Sequence, residues 1–208
     1  MAWRGTSFVL VLLAIAAQAQ AQVGQLPPVE VIAASPLLGT GIDRDLVPAQ
    51  THTLGDKALR SQGMSDLTGT LERRLPGVTL DSASGNPLQP TLFYHGYAAS
   101  PLQGTPQGLA VYVNGMRFNQ PFGDTVYWDL MPDIAIDRLD LVGSNPLFGL
   151  NALGGAINVR LKDGFRYQGF EAAAAAGSFN RLQGEFQYGK NFGGLAAYMA
   201  GSVQHEDG

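Results

Sequence analysis

The sequence has no cysteine, few charged residues and, outside its N-terminus, no long apolar run. The absence of cysteine excludes disulfides, thiolate metal sites and cysteine nucleophiles. The chain carries 13 Lys and Arg against 17 Asp and Glu, a formal net charge of −4. Nucleic-acid binding usually needs a basic surface, so this balance argues against a nucleic-acid partner. After the N-terminus no stretch reaches the roughly 18 apolar residues of a transmembrane helix.

The first 21 residues have the three features of a secretory signal peptide. Arg4 supplies the positive charge, residues 8–17 (FVLVLLAIAA) form a short apolar run, and Ala19-Gln20-Ala21 gives a small-x-small cleavage pattern. The run is too short to span a bilayer. We therefore expect residues 1–21 to be removed on export; the alternative is a buried strand or helix.

Residues 22–50 predict an extended, mostly disordered arm. The segment contains Pro27, Pro28 and Pro36 around one short apolar burst, LPPVEVIAASPL. Within this burst Val and Ala alternate with Glu and Ile over residues 29–33. This alternation predicts a strand that has no partner in its own neighbourhood.

Residues 51–164 predict a small α+β domain, called here the mixed domain. Residues 65–75 (SDLTGTLERRL) have a capping residue, leucines four residues apart and basic residues at the C-terminal end, which predicts a short amphipathic helix. Asn114-Gly115 within LAVYVNGMRF is the preferred type I′ hairpin turn. Further strands are predicted at residues 78–80, 91–94, 136–142 and 156–162 from their alternating apolar residues.

Residues 165–208, called here the strand tail, predict the first strands of a barrel. Segments of about ten residues carry one apolar face and one polar or small face, which is the pattern of transmembrane β-barrels. In RLQGEFQY (181–188) Leu, Gly, Phe and Tyr oppose Arg, Gln, Glu and Gln. An ordinary antiparallel meander is the alternative. The strand tail contains three such segments. Because three strands cannot close a barrel, we expect the chain to be part of a longer protein.

The glycine-rich loop GSNPLFGLNALGG (143–155) invites a phosphate-binding interpretation, which its spacing opposes. Neither G-x-G-x-x-G nor G-x-x-x-x-G-K-[ST] is present, and a strand pattern follows the loop. The three histidines, His52, His95 and His205, lack metal-site spacing, and no G-x-S-x-G elbow occurs. Asp43 and Asp45 lie in the predicted arm. We therefore expect neither an enzyme nor a cofactor or metal site.

Two loops are candidates for substrate contact. MRFNQPFGDTVYWDL (116–130) is rich in aromatic and amide side chains, and YAASPLQGTPQ (97–107) is the second loop. The candidate contact residues are Tyr97, Phe118, Asn119, Gln120, Phe122, Tyr127 and Trp128. The alternative for the first loop is a short helix that packs Val126, Trp128 and Leu130 into the core.

Several motifs resemble those of the TonB-dependent outer-membrane receptors. LERRLPGV (71–78) is similar to the family's helix followed by Leu-Pro-Gly-Val, and GLAVYVNGMRFN (108–119) is similar to its VYVDGV hairpin. IDRLDLV followed by LFGLNALGGAINVRLKDG (147–164) resembles the closing signature YGSNALGGVINIITK. The resemblance covers about residues 28 to 204.

The resemblance implies a plug domain (51–164) inside a large barrel in the outer-membrane lipid, with substrate bound on the outer face. It implies that TonB, with its inner-membrane ExbB and ExbD partners, pulls on the arm. The implied TonB box is Val29, Glu30, Val31, Ile32, Ala33 and Ala34. An unpaired extended segment can add to a partner's sheet edge, which gives this a physical basis. A featureless linker is the alternative.

The chain departs from the family pattern at two arginines. His95 stands where the family usually has the Arg of an Arg-Gly pair, and the Arg-Gly-Pro before the closing signature is missing after Leu141-Val142. In the family these arginines pair with barrel glutamates. The resemblance therefore implies that this plug is held to its barrel in another way, or more loosely.

The leading functional hypothesis is TonB-energised uptake of a scarce nutrient, such as an iron–siderophore complex, at the outer membrane. A soluble periplasmic binding or adhesion module is the second, and a non-functional receptor fragment the third. The substrate is not predicted, because the barrel loops that select it lie outside this sequence.

Overall fold

The computed structural model describes residues 31–33, 41–43, 48–60, 64–82, 85–145 and 148–207, with backbone alone for 31–33 and 41–43. The predicted signal peptide (1–21), Val29, Glu30, Ala34 and Asp45 lie outside these residues. β1 (Val31–Ala33) pairs antiparallel with β2 (Gly41–Asp43). The expectation that β1 has no nearby partner is therefore wrong, because the β-branched residue at the centre of each segment favours an extended pair.

A five-stranded sheet forms the centre of the mixed domain. Its order is β3 (Thr51–Gly55), β9 (Ile136–Gly143), β10 (Gly155–Leu161), β7 (Leu109–Val113) and β8 (Met116–Arg117). β7 and β10 are parallel and the other neighbours antiparallel. One face of this sheet packs on the larger cluster of buried residues, called here the main core, and the other face packs on a smaller cluster around Phe148. Because both faces are buried, β7 is apolar along its whole length.

The β7–β8 hairpin has the predicted turn. Asn114 and Gly115 have φ angles of 50° and 82°, and a type I′ turn requires positive φ at both positions. The Asn114 side-chain oxygen also accepts a hydrogen bond of 2.9 Å from the backbone N–H of Leu161. The turn thereby fixes the end of β10 as well as its own hairpin.

The predicted amphipathic helix is confirmed as α2 (Leu67–Arg74), which follows the short α1 (Asp56–Leu59). Asp66 caps α2, because its side chain accepts from the Gly69 N–H at 2.9 Å. Leu67 and Leu71 are each 1% exposed, while Arg73 and Arg74 lie in the last turn. The apolar stripe thus faces the core, and the basic residues complement the helix dipole.

A smaller antiparallel sheet lies against the same core. It contains β4 (Val78–Asp81), β5 (Thr91–Tyr94) and β6 (Tyr97–Ala99) in that order. Two 3₁₀ helices, Trp128–Leu130 and Asp133–Ala135, precede β9. The main core joins these parts through buried residues that include Leu71, Leu92, Leu109, Trp128, Leu139 and Ile157.

The strand tail forms an antiparallel sheet of β11 (Gly169–Ala176), β12 (Leu182–Asn191) and β13 (Ala196–His205). Residues 172–176, a run of five alanines, belong to β11 although alanine is the best helix former. On β12 Glu185, Gln187 and Gly189 are buried, while Leu182 and Phe186 are exposed. The predicted two-faced alternation is confirmed, with the polar face turned inward.

The helices in the described residues are short. Within that part of the chain none combines the length and the apolar content that crossing a bilayer requires.

Candidate functional site

Three loops meet at the end of the sheet where β7 and β10 begin. Because these strands are parallel with Leu109 opposite Gly155, the loops that precede them lie at the same end. The Gly154 N–H donates to the Gly108 carbonyl at 2.9 Å, and the Tyr97 side chain lies directly over Gly154. We call the exposed apolar residues of these loops the loop surface: Tyr97, Leu102, Phe122, Leu150 and Leu153.

A polar cluster ties the loops under this surface together. Arg117 donates to Asp124 at 2.9 Å and to the Leu150 carbonyl at 2.7 Å. Asn151 donates to the same Asp124 carboxylate at 2.8 Å. The charge of Arg117 is thereby neutralised within the loops, and the aromatic and leucine side chains dominate what is offered to a ligand.

Some predicted contact residues reach the surface. Phe122 is 78% exposed and Tyr97 is 42% exposed. Gln120 and Tyr127 are half-buried. These four side chains are accessible, and their role in substrate contact stays a prediction.

The other predicted contact residues lie inside the mixed domain. Trp128 is 3% exposed in the main core, and Phe118 packs against that core. Asn119 is buried; its side chain accepts from the Val111 N–H at 2.7 Å and donates to the Leu109 carbonyl at 3.1 Å. These placements argue against ligand contact, because the core and the edge of β7 already occupy the side chains. The alternative interpretation, packing into the core, is confirmed for Val126 and Trp128 and is wrong for Leu130, which is 64% exposed.

Leu150 and Leu153 belong to the loop surface but are not among the contact residues that the sequence predicts. They are 78% and 62% exposed. Both lie in the glycine-rich loop (143–155). Two leucines flanked by glycine, in a loop that opens a buried strand, were the available signal.

A second region is a cleft of about 670 Å³ between α2 and the strand tail. Glu185 of β12 accepts from both the N–H and the hydroxyl of Ser65, each at 3.1 Å. Asp133 accepts from the Leu67 N–H at 2.8 Å and so satisfies a free donor of the first turn of α2. Carboxylates from the mixed domain and the strand tail therefore meet at this helix start.

Burial raises the pKa of Asp133 to about 7. The Leu67 hydrogen bond acts in the opposite direction, and the negative charges of Asp66 and Glu185 raise the pKa further. Asp133 consequently titrates near neutral pH.

We expect stability to fall as pH rises through Asp133 titration. A folded-state pKa above the unfolded value of about 3.9 means that the folded state holds the proton longer, so unfolding becomes easier between about pH 4 and pH 7. Because Asp133 is partly accessible, we expect about 1–3 kcal/mol of lost stability from this group. Urea unfolding of the full-length protein at pH 5 and pH 8 measures it. Asp133→Asn should flatten this dependence, and an unchanged slope contradicts the assignment.

Comparison with known proteins gives one family and a consistent set of structures. The family model described as the TonB-dependent receptor plug domain matches residues 43–156. The siderophore receptor PiuA from Acinetobacter baumannii is 24% identical with a TM-score of 0.55, over 76% of this chain and 21% of that one. The alcaligin outer-membrane receptor FauA from Bordetella pertussis is 15% identical with a TM-score of 0.61, over 83% and 29%.

A third structure, the ferric-catecholate import receptor Fiu from E. coli K12 in its open form, is 17% identical with a TM-score of 0.59, over 84% of this chain and 23% of that one. At these identities the structures show the fold alone. They identify the mixed domain as a plug fold and the strand tail as the start of an antiparallel barrel. The chain spans between a fifth and a third of the length of these structures. No curated protein matches it.

Proposed function

The chain belongs to the TonB-dependent receptor plug domain family, and we propose that it is part of an outer-membrane receptor that imports a scarce nutrient. The nutrient is a small molecule such as an iron–siderophore complex, and TonB supplies the energy. The protein acts as a transporter rather than an enzyme.

The observation that carries this proposal is the two-faced strand tail. On its inner face Glu185 and Gln187 are buried and accept hydrogen bonds from Ser65 and Lys162 of the mixed domain. On its outer face Phe186, Met199 and Val203 are 43%, 57% and 70% exposed. A sheet with a polar face covered by protein and an open apolar face fits a bilayer on the outside and a plug in the lumen.

The loop surface supports the substrate-binding end of the proposal. The loop surface lies at the start of β10. The chain leaves the other end of β10 to enter β11, so the loop surface and the connection to the strand tail lie at opposite ends of β10. Aromatic and apolar side chains with a few amides are typical of small-molecule sites. Siderophore receptors are among the structural neighbours, which makes iron–siderophore complexes the first compounds to test.

The arm supports the TonB end of the proposal. Three of the six TonB-box residues, Val31–Ala33, are extended as β1. An extended segment can add to the sheet edge of a partner, and among the described residues β1 pairs with β2 along one edge alone.

We expect Met199→Arg to block assembly of the full-length receptor in the outer membrane. Met199 lies mid-strand on the outer face, where an arginine in hydrocarbon costs about 2–4 kcal/mol. Outer-membrane fractionation and heat-modifiable gel mobility measure the folded amount.

Ser202→Arg is the matched control, because Ser202 alternates to the lumen side of the same strand. It should assemble nearly normally. If both variants accumulate as soluble periplasmic protein, the soluble-module hypothesis replaces the receptor. Equal assembly of both variants in the membrane also contradicts the proposed orientation.

A further inference from the structure

Within the described residues neither family arginine position forms an ion pair with the strand tail. His95, which replaces one arginine, has a φ of 52° in the turn between β5 and β6. Its ring centroid lies 4.2 Å from that of Tyr94, and it covers Gly77, so its ring contacts lie within the mixed domain. A connection between the mixed domain and the strand tail has to come from other residues.

Arg60 makes one such connection. This residue follows α1, and its guanidinium donates to Glu171 of β11 at 2.5 Å and to Asp56 at 2.7 Å. Burial acts to lower the pKa of Arg60, but the hydrogen bonds to Glu171 and Asp56 raise it above its ordinary value. The pair joins residues 111 positions apart in sequence.

Lys162 makes the second connection. Its side chain is 5% exposed, and its ammonium group lies 2.8 Å from the same Asp56 carboxylate. It donates to the Ile134 carbonyl at 2.7 Å and to Gln187 of β12 at 3.2 Å. Three polar partners therefore surround a buried ammonium group, one of them on the strand tail.

The strand tail presents matching groups on its inner face. Glu171 and Gln187 are cross-strand partners, and the Gln187 amide donates to Glu171 at 2.6 Å. The Tyr198 hydroxyl of β13 donates to the Gln187 oxygen at 2.9 Å. Each strand of the tail thus contributes one side chain to a continuous network.

We propose that the network of Arg60, Lys162 and Asp56 with Glu171, Gln187 and Tyr198 is the anchor that holds this plug against its barrel wall, in place of the missing family arginines. Resting on the proposed function, the same anchor is the joint that opens before the plug moves during transport.

The charges of the anchor balance when the plug lies against the wall, and water can solvate them when the two separate. Two cations, Arg60 and Lys162, face two carboxylates, Asp56 and Glu171, so the closed network is neutral. Lys162 is 5% exposed, so removing its carboxylate partner would leave a poorly solvated charge, which is far more costly than the intact pair is favourable. The Arg60–Glu171 pair is partly exposed, so its loss costs less. Separation exposes both sides to water, which solvates the charges again.

A thiol at position 135 reports whether the anchor holds. Ala135 is 4% exposed, and its 3₁₀ helix packs against β12 and β13. The 208 residues contain no cysteine, so Ala135→Cys adds a single thiol to this region. Maleimide labelling of purified full-length receptor, with the protein lacking Ala135→Cys as blank, measures how often the plug leaves the wall.

We expect Arg60→Gln and Glu171→Gln each to raise the labelling rate about tenfold. The labelling rate of the double variant should be only slightly higher than that of either single variant. Arg60→Lys should restore part of the protection. Arg160→Gln, which breaks the Arg160–Asp137 pair within the mixed domain, should leave the rate unchanged. Tyr198→Phe, a milder change, should raise it about two- to threefold and covers the case in which a charge variant does not assemble.

Unchanged labelling in Arg60→Gln, Glu171→Gln and Tyr198→Phe overturns the anchor, as does equal labelling in Arg160→Gln. The assay needs neither TonB nor substrate. Blocked assembly of Met199→Arg, as expected, together with unchanged labelling therefore rejects the anchor alone, whereas failure of the unmodified receptor to enter the membrane rejects the proposed function alone.

Discussion

Gly155→Val is expected to destabilise the plug domain strongly. Gly155 has a φ of 147°, a conformation that valine rarely adopts, and an added Cβ would overlap the carbonyl oxygen of Val142 on the paired strand β9. Backbone strain and overpacking in a buried sheet together cost about 2–6 kcal/mol. Because a domain is stable by only about 5–15 kcal/mol, this loss is a large fraction of its stability.

Denaturant unfolding of the full-length receptor, followed by protease sensitivity of the plug, measures this loss. Gly194→Val is the matched control: Gly194 lies in the β12–β13 turn with open space around its Cα, so stability should hardly change. Gly154→Val should also destabilise the domain, since an added Cβ would lie 2.5 Å from the Cβ of Tyr97, an atom that rotation of the Tyr97 side chain does not move. If Gly155→Val folds normally, the packing account of this loop is wrong.

The same variant decides what the glycine-rich loop is for. A phosphate loop needs glycines that open a helix N-terminus, whereas here they open β10, whose residues Ala156 and Ile157 are buried in the sheet. The structure predicts that Gly155→Val lowers stability and that neither the unmodified protein nor the variant binds nucleotide.

Features that depend on neighbours in the sequence could be predicted from it. The helix α2 follows from leucines four residues apart and the capping Asp66, and the hairpin turn follows from Asn114-Gly115. The two faces of β12 follow from strict alternation. In each case the periodicity or the turn chemistry carries enough information without tertiary contacts.

Features that depend on distant residues could not be predicted in this way. Asp56 and Arg60 are four residues apart, so their pairing is local, but nothing local marks Lys162 and Glu171 as their partners, because strand order and register bring these together. Phe122 and Trp128 are both aromatic and lie six positions apart, yet one is exposed and the other buried. Composition identifies such a loop as a candidate site but does not say which aromatic ring points outward.

Trp128→Ala is expected to destabilise the plug by about 3–5 kcal/mol, because truncating a buried tryptophan leaves a large cavity. Trp128 is 3% exposed and packs within the main core. Phe122→Ala should change stability by less than about 0.5 kcal/mol, since the side chain is 78% exposed. Denaturant midpoints of the two full-length variants separate a core residue from a surface residue.

Binding then separates their functional roles. With a panel of ferric siderophores, Phe122→Ala should weaken binding of the recognised compound, while Trp128→Phe should leave it nearly unchanged. Trp128→Phe retains most of the packing and removes an indole N–H that has no hydrogen-bond partner among the described residues, so its stability cost should be about 1 kcal/mol or less. If Trp128→Phe abolishes binding at normal stability, Trp128 contacts substrate and its ring must leave the core. If Phe122→Ala binds normally, the loop surface is not centred on Phe122, and Leu150 and Leu153 become the residues to test.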